Sequence, residues 1–223
     1  MYRDVSARET MIRSSLVLLF LLGLIIAGPK SQALDNFEIE AGGFWSLVDT
    51  VDLLDPRIET SALGAYGALW WNRTWGLRGA LHRIPEDQVD QAPNDQFQVD
   101  IQRRLQSPVS DSYLSAGLGW EKNRFGSQGS LSGLRLSAGG RAHLPGVVSV
   151  YVNTGWSPNL KHLGTRQDVS TISVETGLVI EPMPFISLRA AYRYHLTDYT
   201  ESVTGHDRRE VTDGFHFGGG IHW

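Results

Sequence analysis

From about residue 35 to the last residue, apolar and polar positions alternate with a period of two. Successive side chains of an extended chain point to opposite faces, so this alternation predicts strands. The first run, about 35–47, sets Phe37, Ile39, Ala41, Trp45 and Leu47 against Glu38, Glu40 and Ser46. The second, about 60–71, sets Leu63, Ala65, Leu69 and Trp71 on one face, and Asn72-Arg73-Thr74 turns it into a third, about 74–84, with Trp75, Leu77 and Leu81 opposite Arg78 and His82. The fourth, about 95–105, has Phe97, Val99 and Ile101 against Gln98, Asp100, Gln102 and Arg104. Leu114, Leu118 and Trp120 oppose Ser115 and Glu121 in the fifth (about 112–121), and Leu134, Leu136 and Leu144 oppose Arg135, Ser137, Arg141 and His143 in the sixth (about 131–144). Val148, Val150, Val152 and Trp156 face away from Ser149 and Asn153 in the seventh (about 147–156). The eighth (about 169–181) carries Ile172, Val174 and Leu178 against Ser173, Glu175 and Glu181. The ninth (about 185–197) carries Ile186, Leu188, Tyr192 and Tyr194 against Arg189, Arg193 and His195, and the last (about 211–223) Phe215, Phe217, Ile221 and Trp223 against His216 and His222.

Ten runs result, and their connections alternate in length: long at 48–59, 84–94, 122–130, 157–168 and 198–210, short at 72–73, 106–111, 145–146 and 182–184. An even strand number with short turns at one end and long loops at the other is the layout of a transmembrane antiparallel β-barrel. Runs of about 9–11 residues suit a tilted strand crossing a membrane. Ten strands are therefore expected, with eight as the alternative if one hairpin is misread. A soluble sandwich alternates too, but gives no reason for aromatic residues at both ends of its apolar face. Here Phe37, Trp71, Trp75 and Trp223 fall at the turn end and Trp45, Phe97, Trp120, Trp156 and Tyr194 at the loop end. Two such girdles mark two membrane interfaces.

The chain start changes the picture in one respect. Arg13 precedes an apolar stretch over 14–27, and Ser31-Gln32-Ala33 follows it. A basic flank, a short apolar core and a small-x-small site predict an export signal over residues 1–33, cleaved after Ala33, with the barrel over 34–223. Met11 as the start gives a signal of ordinary length. The apolar core is too short to span a bilayer comfortably as a helix. Removing residues 1–33 takes away four basic and two acidic residues, so the remainder carries −6 rather than −4. No cysteine is present, which excludes a disulfide framework. The acidic balance offers no basic patch for nucleic acid.

If the apolar face meets lipid, the polar face lines the lumen. It carries Glu38, Glu40, Asp100, Glu121, Glu175 and Glu181 against Arg78, Arg104, Arg135, Arg141, Arg189 and Arg193. In a narrow barrel side chains fill the interior, and enclosed charges must be paired. The expected arrangement is a plug of ion pairs, with a structural or surface-interaction role. A small diffusion pore lined by the same residues is the alternative. His82, His143, His195, His216 and His222 share this face, but their spacing matches no metal motif. His222 is expected to pair with Glu38 or Glu40 across the seam between first and last strands. A third reading is a lipid A- or phospholipid-modifying enzyme, for which His195, Asp198 and Ser202 are candidates, yet no catalytic motif surrounds them. No enzyme activity and no cofactor are expected. The acidic positions Asp49, Asp52, Asp55, Glu59, Glu86, Asp87 and Asp90, and the basic Lys122 and Arg124, are assigned to outer loops.

Three stretches of the second half carry a resemblance: Trp156-Ser157-Pro158-Asn159-Leu160, Glu181-Pro182-Met183-Pro184-Phe185-Ile186-Ser187-Leu188-Arg189-Ala190-Ala191-Tyr192-Arg193-Tyr194, and Thr212-Asp213-Gly214-Phe215-His216-Phe217-Gly218. Together they resemble the YfaZ family of small outer-membrane proteins, over about residues 112–223. The resemblance implies a compact barrel in the bacterial outer membrane and supplies no catalytic residue. The partners expected are outer-membrane lipid and lipopolysaccharide, and the barrel-assembly machinery through the terminal strand ending at Trp223. A monomer is expected.

Overall fold

The computed structural model describes residues 37–52, 58–85, 93–107, 112–126, 129–161, 164 and 166–223. The expected signal over 1–33, Asp55, and the acidic Glu86, Asp87 and Asp90 lie outside the described residues. Ten strands follow in chain order: β1 (Phe37–Asp52), β2 (Ile58–Trp71), β3 (Trp75–Arg83), β4 (Asp95–Gln106), β5 (Tyr113–Phe125), β6 (Gly129–His143), β7 (Val148–Leu160), β8 (Arg166–Met183), β9 (Ile186–Glu201) and β10 (Asp207–His222). Each pairs antiparallel with its chain neighbour, and β1 pairs with β10, so the sheet is a closed barrel. The seam runs from Glu40 opposite His222 to Asp52 opposite Glu210. Trp223 extends it, with its amide donating to Ile39 O at 2.8 Å and its carbonyl accepting from Ile39 N at 2.7 Å. Closure leaves no unpaired edge, which a wall immersed in hydrocarbon requires.

The burial pattern is that of a water-soluble protein turned inside out. Leu134 and Leu105 are 69% and 68% exposed, while Glu121, Asn123 and Ser149 are 0% exposed. An exterior with leucines bare on nearly every strand is unlike any water-facing surface of a monomer. All nine girdle aromatics sit on this outer face, with Phe37, Trp71 and Trp75 in one register row across β1, β2 and β3.

The connections differ from the sequence expectation. Residues 48–52 and 58–59, 122–125, 129–130, 157–160, 166–168, 198–201 and 207–210 are strand, so most of the expected long loops shrink to hairpin tips. β8 runs for 18 residues, far beyond what a bilayer crossing needs. These polar segments keep pairing past the membrane because neighbouring strands do the same, and backbone pairing does not require apolar side chains. Asp49, Asp52, Glu59, Lys122 and Arg124 are thus strand residues. At the opposite end Asn72 and Arg73 both take positive φ (52° and 53°), as a tight hairpin turn matching the strand twist demands. One glycine is essential to the interior: a Cβ on Gly64 would lie 2.0 Å from Phe44 Cζ, because the Phe44 ring crosses directly over it.

Candidate functional site

The lumen is where the chain concentrates its chemistry, and its contents fall into layers from the turn end to the loop end. At the turn end Arg104 donates from both terminal nitrogens to Glu38, at 2.6 and 3.0 Å. Its guanidinium lies over the Trp70 ring at 3.5 Å and the Tyr113 ring at 3.9 Å. Arg141 reaches Glu181 at 2.5 Å. His143 and His222 each stand 3.9 Å from that same carboxylate. His222 therefore lies against Glu181, rather than against Glu38 or Glu40. Glu40 is its backbone partner across the seam, but Glu40 is taken by an arginine.

That arginine is Arg189, which forms an ion pair with Glu40. Its guanidinium sits between two phenol rings, 3.9 Å from the Tyr66 centroid and 5.0 Å from that of Tyr151. Tyr151 in turn donates to Glu175 at 2.9 Å. Tyr66, Arg189 and Tyr151 form a bar across the lumen, and cavities of about 50 and 30 Å³ adjoin them. A water molecule needs roughly 10–15 Å³ on the same measure, so each cavity has room for a few waters. Arg78 lines both cavities; Glu175 and Arg193 line the larger. Among the described residues Arg78, Glu175 and Arg193 have no opposite charge within 4.0 Å. Arg193 donates to Gln96 instead, at 2.6 Å.

Nearer the loop end, Glu121 is the hub. It accepts from Arg135 at 2.9 Å, Asn123 at 2.8 Å, Ser157 at 2.8 Å and Thr171 at 3.0 Å. Arg135 also stands 3.5 Å from Asp100 and donates to Ser173 at 2.9 Å. Phe44, His82 and His216 stack on one another beside this layer, with centroids 4.8–5.9 Å apart. Beyond it Phe125, Leu131, Leu160 and Val169 form an apolar cluster, each 0% exposed, with Tyr199 packed against it. Arg166 lies over the rings of Phe125 and Tyr199 and pairs with Glu210 at 2.9 Å. Val48, Ala62 and Ile84 make a second such cluster.

Several of these groups escaped the sequence reading. Phe44, Tyr66, Trp70, Tyr113 and Tyr151 point inward, as do Phe125, Leu131, Leu160, Val169, Arg166 and Glu210. The signal was present for most of them as parity: Phe44 is in step with Glu40 and Ser46, and Leu131 with Arg135. Leu160 and Arg166 lie beyond bulges in β7 and β8, where parity slips. His195, Asp198 and Ser202 do not come together. His195 is buried in the lumen 4.0 Å from Glu121, whereas Asp198 lies on the outer face bound to Arg209 at 2.8 Å. Among the described residues no cluster of three or more metal-ligating side chains occurs.

No family model matches the chain, and no curated protein matches it. Solved structures do. Neisserial surface protein A is 14% identical, with a TM-score of 0.43, covering 83% of this chain and 96% of that one. The outer membrane protease OmpT from Escherichia coli is 10% identical, TM-score 0.45, covering 87% and 98%. The attachment invasion locus protein Ail of Yersinia pestis, in complex with the heparin analogue sucrose octasulfate, is 9% identical, TM-score 0.34, covering 84% and 99%.

Proposed function

We propose that this chain is an outer-membrane β-barrel, related to the YfaZ family, whose lumen is sealed by its own side chains. Its role is structural or surface-contacting, exercised through its exterior and loop end, with no catalysis assigned to it. The observation that carries the reading is the layered interior: the Glu121 hub and the apolar Phe125 cluster lie in series with the Tyr66–Arg189–Tyr151 bar and the Arg104 sandwich. Export by the 1–33 signal, insertion as a monomer by the assembly machinery reading the Trp223 strand, and contact with lipopolysaccharide complete the proposal.

The cavities that adjoin the bar, with Arg78, Arg193 and Glu175 on their walls, favour one second reading, a small diffusion pore. Single-channel conductance in a planar bilayer separates the two, after a gel shift on heating has shown that the barrel folded. A silent bilayer is the expected result. Discrete, reproducible steps whose ion selectivity changes in Glu175→Gln and Arg135→Gln would overturn the seal in favour of the pore.

A further inference from the structure

Charge in the lumen is shared out unevenly. Glu38 is paired with Arg104, Glu40 with Arg189, Glu181 with Arg141 and Glu210 with Arg166. Glu121 and Asp100 are both spent on Arg135. Arg78 and Arg193 remain, and the carboxylate left with them, Glu175, reaches neither within 4.0 Å among the described residues. It accepts from Tyr151 instead, at 2.9 Å. All three side chains line the cavity of about 50 Å³. Around that cavity stand the guanidiniums of Arg78, Arg135, Arg189 and Arg193 against the carboxylates of Asp100 and Glu175.

Hydrogen-bond donors outnumber acceptors there in the same way. Arg193 is 7% exposed and donates from one terminal nitrogen to Gln96 at 2.6 Å. Its remaining N–H groups, and those of the Arg78 guanidinium, meet no acceptor among the described residues. The Gln98 amide nitrogen, on the same cavity, is buried without a partner. A guanidinium cannot relieve this by losing its proton. Water in the cavity satisfies the donors but not the charge, and an enclosed cation without a counter-ion is costly.

We propose that this cavity is a binding site for a small monovalent inorganic anion of halide size, held by Arg78 and Arg193. A halide is little larger than water, so it fits where a few waters fit. It accepts charge-assisted hydrogen bonds from converging N–H groups and supplies the negative charge that the two guanidiniums lack at contact distance. Glu175, on the same cavity, opposes the anion and so sets the affinity. The bound ion completes the charge pairing of the interior. The site rests on the geometry of the lumen and not on its being sealed: in a conducting barrel it would favour anions.

Bromide is the probe, because it stands in for chloride and scatters anomalously at its absorption edge. Crystals of the refolded chain soaked in sodium bromide are expected to show an anomalous peak in the cavity, at hydrogen-bonding distance from the Arg78 and Arg193 guanidiniums. Peaks at surface residues alone would mean an adventitious ion only and overturn the site, as would ordered waters in its place. In solution, an anion that binds only the folded form raises the urea midpoint as its concentration rises. The readout is the midpoint in sodium bromide minus that in sodium gluconate, a far larger anion, at matched ionic strength. A general salt effect is common to wild type and variants, so their difference reports the site. Arg193→Gln is expected to weaken the bromide dependence about tenfold, the order of one charge-assisted hydrogen bond. Glu175→Gln can still accept from Tyr151 but no longer opposes the anion, and is expected to strengthen the dependence. Equal bromide effects in wild type and Arg193→Gln overturn the site. If Arg193→Gln does not fold, Glu175→Gln decides: an unchanged or weaker bromide dependence overturns the site, and a stronger one supports it.

Discussion

At the scale of single residues, Glu121 governs the interior. Four donors converge on its carboxylate with no solvent contact, so its removal breaks the closer of the two ion pairs of Arg135 and leaves it Asp100 at 3.5 Å. Breaking an enclosed ion pair from one side costs about 3–5 kcal/mol. Glu121→Ala is therefore expected to lose stability of that order in a urea titration of the refolded barrel followed by tryptophan fluorescence. The triple variant Asp100→Asn/Glu121→Gln/Arg135→Gln should lose less than the single one, because no charge of this buried group is left uncompensated. Equal loss in both would mean that packing, and not charge, holds the hub. Arg104→Lys is the companion test: lysine keeps the charge but loses the fork to Glu38 and the flat face over Trp70 and Tyr113, at about 1–2 kcal/mol.

The inward positions of Glu121, Arg135 and Arg104 were legible from alternation alone, because a period of two assigns a face to every residue. Their partners were not. A pairing such as Arg104 with Glu38, or Arg189 with Glu40, spans the lumen between strands that are not neighbours, and depends on barrel radius and strand stagger. The same geometry explains why His222 meets Glu181, two strands away around the wall, and not the glutamate beside it in the register.

At the scale of elements, strand existence was legible and strand ends were not. Hydrophobic alternation stops at the membrane interface, whereas the backbone ladder continues past it. The polar tails of β1, β5, β8 and β9 therefore read as loops. The Asn72–Arg73 turn shows the opposite case, where local sequence specifies geometry. Asparagine tolerates positive φ, but arginine at φ 53° is strained. Arg73→Gly is expected to stabilise the barrel by about 0.5–1 kcal/mol, measured as a higher urea midpoint with an unchanged slope; a lower midpoint would show that the Arg73 side chain contributes more than its strain costs.

The β9–β10 tip carries a pH-dependent element. Hydrogen bonds from Thr204 and Arg208 hold the exposed Glu201 carboxyl below its ordinary pKa of 4.5. A depressed carboxylate stabilises the folded form above its unfolded pKa and ceases to do so as pH falls through the folded value. The tip should thus exchange its Gly205 amide, bonded to Glu201 O at 2.7 Å, faster as pH drops below about 4.5, relative to Glu201→Gln, after correction for intrinsic exchange. Identical profiles in the two proteins would remove Glu201 as the cause.

At the scale of the whole molecule, the proposed seal consists of layers in series along one axis. A path for ions exists only if every layer opens, because resistances in series add and the tightest layer sets the current. The apolar Phe125 cluster lies at the loop end, and the Arg189 bar lies between the Glu121 hub and the Arg104 sandwich. Stripping one layer should therefore cost stability without opening a channel. Phe125→Ala/Leu131→Ala removes buried apolar bulk, with each truncation costing about 2–5 kcal/mol, yet the Arg135–Glu121 and Arg189 layers still obstruct the lumen. Its bilayer should remain silent while its urea midpoint falls. Adding Arg189→Ala and Tyr151→Ala to that variant removes the bar, Glu121→Ala and Arg135→Ala the hub, and Arg104→Ala the turn-end sandwich, so that every layer is then opened. If Phe125→Ala/Leu131→Ala alone conducts, the interior charges are the lining of a gated pore and the apolar cluster is its gate. If it stays silent and only the multilayer variant conducts, the ion pairs themselves are part of the seal.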